Sequence, residues 1–326
     1  MKNILVSIIL VFSFFSLIST DRIFAQEPTP TQNPAPEQPT AVKGTKINLI
    51  KPVGFTEATN FPGFQQSSSG ATIIVTELPG PYKEVSDSFT AENLKSRGMI
   101  LQSTEKTTID GYPGLIIKFS QQAYGQEFGK LGILFGDDQE TIFVVASFPI
   151  ETEKDLLAPL KDSILSAKWD RKKVVDPFAD LTFTLDDSTS PLKFAKRVQS
   201  TLLYSKDGQF PVAVDAPIFI VGKAVSDLPD EQIADQKAFA EGRLSQTVEN
   251  KNITVQTNEP ITVGALSGYE IVASGEDAST NTPVVIYQTI LFEGKTYYIF
   301  QGVVGAKAKD QFIGEFKKMT RNFKQK

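Results

Sequence analysis

Two stretches of this chain read as one stretch written twice. Ser88-Phe89-Thr90-Ala91-Glu92-Asn93-Leu94 lines up with Ala238-Phe239-Ala240-Glu241-Gly242-Arg243-Leu244, and Ile133-Leu134-Phe135 with Ile290-Leu291-Phe292. Phe239 follows Phe89 by 150 residues and Leu291 follows Leu134 by 157, so the landmarks keep their spacing to within a few loop residues. A third match, at an offset of 156, sets Leu156, Leu157 and Leu160 on Phe312, Ile313 and Phe316. Self-similarity on this scale predicts two copies of one domain in tandem. It constrains architecture rather than purpose, because a repeated module carries whatever function is built onto it.

The hydrophobic pattern predicts the same element order in each half. In the first, Ala71 to Thr76 reads as a strand and Ser86 to Arg97 as a helix stopped by Gly98. Strands follow at Ile100 to Thr108, Gly114 to Phe119, Phe128 to Phe135 and Thr141 to Phe148, turned by Asp110-Gly111 and Gly136-Asp137-Asp138. A last helix opens at Thr152, whose hydroxyl is placed to cap it, and shows Leu156, Leu157, Leu160 and Ile164 on one face around Pro159. The second half repeats this: a strand at Ile218 to Val221, then a helix opened by Asp227 and Pro229 with Ile233, Ala240, Leu244 and Val248 inward. Strands near Ile253 to Gln256, Gly268 to Ala273, Val284 to Phe292 and Thr296 to Val303 precede a helix carrying Phe312, Ile313, Phe316 and Met319. Residues between Phe183 and Phe210, with Leu202-Leu203-Tyr204, are expected to add strands that the first half lacks. Strands joined by short turns pair antiparallel, so the expected class is α+β: two tandem α/β/α sandwich domains, each an antiparallel sheet with flanking helices.

Residues 1–25 carry the three parts of a secretory signal. Lys2 is followed by an apolar run from Ile4 to about Thr20 and by Ile23-Phe24-Ala25, which places cleavage between Ala25 and Gln26. Ser7, Ser13, Ser16 and Ser19 interrupt that run, which is short of the ~20 residues of a spanning helix; an uncleaved anchor is the alternative. The expected location is periplasmic or extracellular, with no spanning helix in the mature chain. Pro28, Pro30, Pro34, Pro36 and Pro39 then stand among small polar residues, which predicts a Pro-rich disordered linker over residues 26–44. Domain 1 is expected at 45–170 and domain 2 at 176–324, joined near Trp169-Asp170-Arg171-Lys172-Lys173.

The passage from Phe55 to Trp169, with Gly70-Ala71-Thr72-Ile73, Asn93-Leu94 and Ile109-Asp110-Gly111-Tyr112-Pro113-Gly114, resembles the PsbP-like family. That resemblance implies an α/β/α sandwich shared with the yeast nuclear-transport factor that binds the GTPase Ran. It further implies a non-catalytic accessory or binding role, the name-giving member being an extrinsic photosystem II subunit of the thylakoid lumen. Two copies in tandem depart from the family pattern, and the absence of histidine removes any histidine-based metal contact.

The chain has no histidine and no cysteine. Ser-His-Asp and Cys-His catalysis are therefore excluded, as are the usual zinc, haem and iron-sulfur ligand sets and any disulfide. The net charge of −5, without a cluster of Lys or Arg long enough to suggest a phosphate-binding surface, argues against nucleic acid as a partner. Ser190-Pro191-Leu192-Lys193 matches S-x-x-K, but Pro191 and Asp186-Asp187-Ser188-Thr189 read as a turn. Gly125-Gln126-Glu127-Phe128-Gly129-Lys130-Leu131 lacks both the glycine spacing and the final Ser or Thr of a phosphate loop. Asp137-Asp138 and Asp186-Asp187 lack the alternating acids of a calcium loop. No catalytic residue, metal or cofactor is expected. Tyr287, Tyr297 and Tyr298 fall on adjacent strands and form a speculative binding patch, with core packing as the competing account. The expected function is an accessory protein that binds another protein at an envelope complex, through sheet edges or the cleft between copies. The alternatives are a small-molecule or lipid carrier and, remotely, a hydrolase using Ser190 and Lys193.

Overall fold

A computed structural model describes residues 38–326, apart from 60, 124, 180, 199, 227–232 and 248. Ala25 and Gln26, and the helix opening at Asp227 and Pro229, lie outside the described residues, as does Val248. The chain divides into two compact units that part between Asp176 and Pro177. No helix among the described residues is long and apolar enough to cross a membrane.

The first unit opens with β1 (Thr40–Ala41) and β2 (Ile47–Leu49), which form a small sheet with β10 (Lys168–Trp169). Folded structure thus begins inside the segment expected to be a linker, because Val42 and Thr45 are buried and β1 pairs with β2. The main sheet has seven strands in the order β3-β4-β5-β9-β8-β7-β6, all neighbours antiparallel. Its strands are β3 (Thr56–Glu57), β4 (Gly63–Gln66), β5 (Ala71–Pro79), β6 (Met99–Ile109), β7 (Tyr112–Ala123), β8 (Gln126–Gly136) and β9 (Glu140–Pro149). Helix α3 (Glu153–Leu165) covers one face, where Leu160 and Ile164 pack with Ile133, Phe135, Val144 and Ala146. On the other face stand α1 (Tyr82–Asp87) and α2 (Ala91–Lys95), and Phe89 between them meets Phe143 edge-on at 5.3 Å.

Two local expectations change. The single helix from Ser86 to Arg97 is two, because Thr90 is extended and its hydroxyl accepts from Asn93 N–H at 3.2 Å, starting a new helix. Thr152 does not cap α3: it ends a 3-10 turn, and its hydroxyl donates to the Pro149 carbonyl at 2.7 Å.

The second unit contains β11 (Phe183–Leu185) paired with β19 (Phe323–Gln325), and a seven-stranded antiparallel sheet in the order β12-β13-β14-β18-β17-β16-β15. These strands are β12 (Lys193–Val198), β13 (Thr201–Ser205), β14 (Ile218–Val225), β15 (Asn250–Val263), β16 (Leu266–Asp277), β17 (Pro283–Glu293) and β18 (Thr296–Gly305). Helix α4 (Gln236–Ser245), capped by Asp235 through Ala238 N–H at 3.0 Å, packs Ala240 and Leu244 on one face with the buried Ile233. Helix α5 (Lys309–Arg321) packs Phe312, Phe316 and Met319 on the other. The molecule is accordingly α+β, with helices on both faces of each antiparallel sheet. The hairpin β12-β13 is no addition, since the first unit has β3-β4 in the same place, only shorter.

Strand pairing corrects the sequence match by one residue. Phe135 opposite Ile142 corresponds to Leu291 opposite Tyr298, an offset of 156. At the offset of 157, Ile133, which faces α3, falls on Ile290, which faces α4 on the opposite side. A slip of one residue turns every side chain to the other face, so the similarity of the two Ile-Leu-Phe strings is coincidental in register. For β6 and β7 against β15 and β16 the offset is 154, with Gly114 on Gly268.

Candidate functional site

Tyr287, Tyr297 and Tyr298 do not form a surface patch. All three are buried, at 0, 2 and 1% exposure. Strand alternation sends Tyr297 to the α4 face, against Phe239 at 5.1 Å, and Tyr287 and Tyr298 to the α5 face. Both faces are covered, so aromatic residues of either phase enter a core.

The Ser-Lys pair is also taken apart. The Ser190 hydroxyl accepts from Leu192 N–H at 3.1 Å, while the Lys193 ammonium donates to the carbonyls of Asp187 and Ser188 at 2.8 and 3.3 Å. The stretch from Gln126 to Leu131 is strand β8, preceded by a turn at Gly125 with φ 74°. Asp137 accepts from the N–H groups of Gln139 and Glu140, and Asp186 from that of Ser188, which is turn capping. Among the described residues no three acidic side chains gather to hold a metal ion.

Paired positions instead reveal where the two units differ. In the first, Lys130 is 8% exposed in the face of the sheet, with Ser147 opposite it and Thr72 beyond. Its ammonium donates to the Ser147 hydroxyl at 3.2 Å, and burial lowers its pKa to about 8. The matching row in the second unit is apolar: Ile286 for Lys130, Val303 for Ser147, Ile218 for Thr72. On the other face the contrast reverses. Glu270, 8% exposed, receives Lys317 at 2.8 Å and Arg321 at 3.2 Å. It also accepts from the Tyr287 hydroxyl at 3.0 Å, which in turn accepts from Thr289 at 2.8 Å and lies 3.0 Å from that of Thr320. Burial pushes the Glu270 carboxyl up, but the Lys317 and Tyr287 hydrogen bonds and the two cations outweigh it and hold it below its ordinary value. Burial pushes the Tyr287 hydroxyl well up. The first unit has Ile116, Leu131, Ile133 and Ile164 at the places of Glu270, Tyr287, Thr289 and Thr320.

The surface with the clearest means of binding a partner is a strand edge. Among the described residues, β6 and β15 are the outermost strands at one end of their sheets, 11 and 14 residues long, each paired on one side only. Two-residue turns, Asp110-Gly111 and Gly264-Ala265, close their hairpins on Ile109 opposite Tyr112 and Val263 opposite Leu266. Such closing pairs exchange hydrogen bonds, so alternate residues back along each edge turn their backbone groups outward. These are Thr104, Lys106 and Thr108 in β6 and Asn258, Pro260 and Thr262 in β15. Both ladders skip a residue at the same place, Gln102 in β6 and Gln256 in β15, and these bulges are equivalent. Ile100, 64% exposed, and Val255, 41% exposed, stand just before them.

Sequence reading missed three of these features. Lys130 sat inside a near miss for a phosphate loop. Glu270 alternates with Tyr269 and Ile271 as a solvent-facing residue would. β15 is far longer than Ile253 to Gln256, because Pro260 and polar neighbours argue against a central strand; Pro within a strand run is the signal for an edge.

No family model and no curated protein matches the chain. Among solved structures it is similar to LpqN, involved in cell envelope biogenesis of Mycobacterium tuberculosis, at 16% identity over 43% of this chain and 88% of that one, with a TM-score of 0.32. It is similar to the cyanobacterial PsbP (CyanoP) of Synechocystis sp. PCC 6803 at 14% identity over 38% of this chain and 86% of that one, with a TM-score of 0.29. The immunity protein TplEi of the T6SS from Pseudomonas aeruginosa is similar at 9% identity over 87% of this chain and 95% of that one, with a TM-score of 0.28.

Proposed function

We propose that this chain is a non-catalytic accessory protein, exported to the periplasm or cell exterior, that works by binding another protein of the cell envelope. The observation that carries the reading is the pair of long edge strands, β6 and β15, whose outer sides carry mostly exposed polar side chains and, among the described residues, meet no further strand. Such an edge is a template for an added strand, with backbone hydrogen bonds supplying affinity. Residues 1–25 support export, and the engagement of Ser190 and Lys193 in a turn supports a non-catalytic role. The two units are read as copies of one domain, supported by their common strand order and equivalent bulges. A carrier reading has less behind it: an open depression of about 640 Å3 lies on α3, with Ile150, Leu157 and Ala158 among charged neighbours. Ligand pockets are concave and enclose most of the ligand, whereas the lining here is one helix and the turn before it.

The test is expression of the full chain, tagged after Lys326, in its own host, with mild in-cell crosslinking and mass spectrometry. One envelope protein at near-equal yield is the expected result. Recovery of the chain alone, carrying a small molecule in native mass spectrometry, contradicts it.

A further inference from the structure

We infer that the two edges are unequal: the edge of β6 accepts an extended segment of a different protein as an added strand, and the edge of β15 is closed to one by Pro260. The inference rests on the protein-binding reading and names its site. At the offset of 154 that aligns the hairpins, Pro260 occupies the place of Lys106. Both positions turn their backbone outward, so Lys106 offers an N–H to an incoming strand where Pro260 offers none. The proline leaves its own ladder intact because it stands opposite Tyr269 at a place that donates nothing across the pair. β15 also breaks register a second time, between Lys251 and Thr254, whereas β6 breaks only once. Bulges and prolines are the devices that blunt an edge, and the second unit carries more of them.

The geometry of β6 selects the occupant. Its regular run extends from Ser103, just past the bulge, to Thr108, with three outward backbone positions. Ser103, Glu105 and Thr107 lie on the α3 face of the sheet, and Ile100 exposes most of its side chain on the same face. A fitting segment alternates in the manner of a strand, sets an aliphatic residue on Ile100 and a basic one near Glu105. A second copy of this chain is disfavoured. Two-fold antiparallel pairing centred on this run sets Glu105 against Glu105 or Lys106 against Lys106, and like charges directly opposite destabilise a pair. The chain's own residues 27–40 contain no aliphatic side chain larger than alanine to cover Ile100.

The experiment places a photo-crosslinking amino acid at Ser103, and separately at the matching Thr257, in the full chain expressed in its host. Each is combined with Lys106→Pro, Lys106→Ala or no further change. One defined protein is expected to crosslink from 103 and not from 257. Lys106→Pro should reduce its capture at least ten-fold, while Lys106→Ala, which keeps the N–H, stays within about two-fold, a separation of at least five-fold, or about 1 kcal/mol in binding. Urea unfolding should show Lys106→Pro folded, as Pro260 already is at the matching place. Equal capture by Lys106→Pro and the unsubstituted chain, or crosslinking from 257 alone, overturns the inference while protein binding stands. Recovery of no stoichiometric protein by any variant removes the protein-binding reading and the inference together.

Discussion

Lys130→Met is expected to stabilise the first unit by about 2 kcal/mol at pH 7. The amine is buried and, among the described residues, has the Ser147 hydroxyl as its hydrogen-bond partner, and its pKa falls from 10.5 to about 8 because burial penalises the charge. A displacement of that size corresponds to about 3 kcal/mol between the charged and neutral forms, of which lost packing and the serine contact return a part. The sign follows from proton counting. Below pH 8 both folded and unfolded chains carry the proton, and the folded chain bears the full penalty. Between about 8 and 10.5 the unfolded chain binds the proton and the folded chain does not, so stability from this residue rises with pH and the penalty disappears. The gain from Lys130→Met in urea unfolding should therefore be largest at pH 7 and nearly gone at pH 10.5. A variant that is no more stable at pH 7, or whose advantage is constant with pH, contradicts the account. Methionine matches the length of lysine, and the second unit shows that isoleucine, as Ile286, is accepted at this place.

Glu270→Ala is expected to cost the second unit about 3 kcal/mol, or roughly a 10 °C fall in melting temperature. The change removes an acceptor of a buried tyrosine hydroxyl and the counter-charge of Lys317 and Arg321, which are 39 and 50% exposed and so lose less. The Tyr287 hydroxyl keeps the Thr320 hydroxyl as an acceptor, so the cost falls on the lost charge-assisted bonds and on the space the carboxylate leaves. The Glu270 carboxyl titrates below its ordinary value of 4.5, so its stabilisation is complete above that pH and is lost as the pH falls through the lowered value. Glu270→Gln should flatten the acid limb of the stability curve while retaining part of the neutral stability. The combined change Glu270→Ile, Tyr287→Leu, Thr289→Ile and Thr320→Ile, which installs the side chains of the first unit, should cost less than Glu270→Ala alone, because it leaves no buried hydroxyl without its partners, while Lys317 and Arg321, 39 and 50% exposed, turn to solvent.

Local rules carried most of the fold. Strands β7, β8, β16, β17 and β18 were legible because alternating or continuous apolar residues end at Asp-Gly or Gly-containing turns, and short turns allow only antiparallel neighbours. The residues of α3 and α5 that face the sheets were legible from their spacing. Register was not: two Ile-Leu-Phe strings matched as text at an offset of 157, while hydrogen bonding across the hairpins sets 156. β3 and β4 were missed because they are two and four residues long and take their stability from β5. The tyrosine patch was misread because alternation distributes residues between faces without saying which face is covered. Lys130 and Glu270 belong to the same class. Their burial comes from neighbours on other strands and helices, and a single lysine or glutamate in a strand reads as solvent-facing until those neighbours are placed. The edge of β6 was legible only as polar composition; its contrast with β15 depends on aligning Lys106 with Pro260 through the hairpin turns.

Hydrogen exchange of the full chain, free and bound to the envelope protein recovered with it, tests the central claim most directly. Backbone amides across Ser103–Thr108 should slow on binding, those of 257–262 should not change, and the buried rows around Lys130 and Glu270 should be unaffected. Protection that falls elsewhere in the chain and leaves Ser103–Thr108 exchanging as in the free protein would contradict binding through that edge.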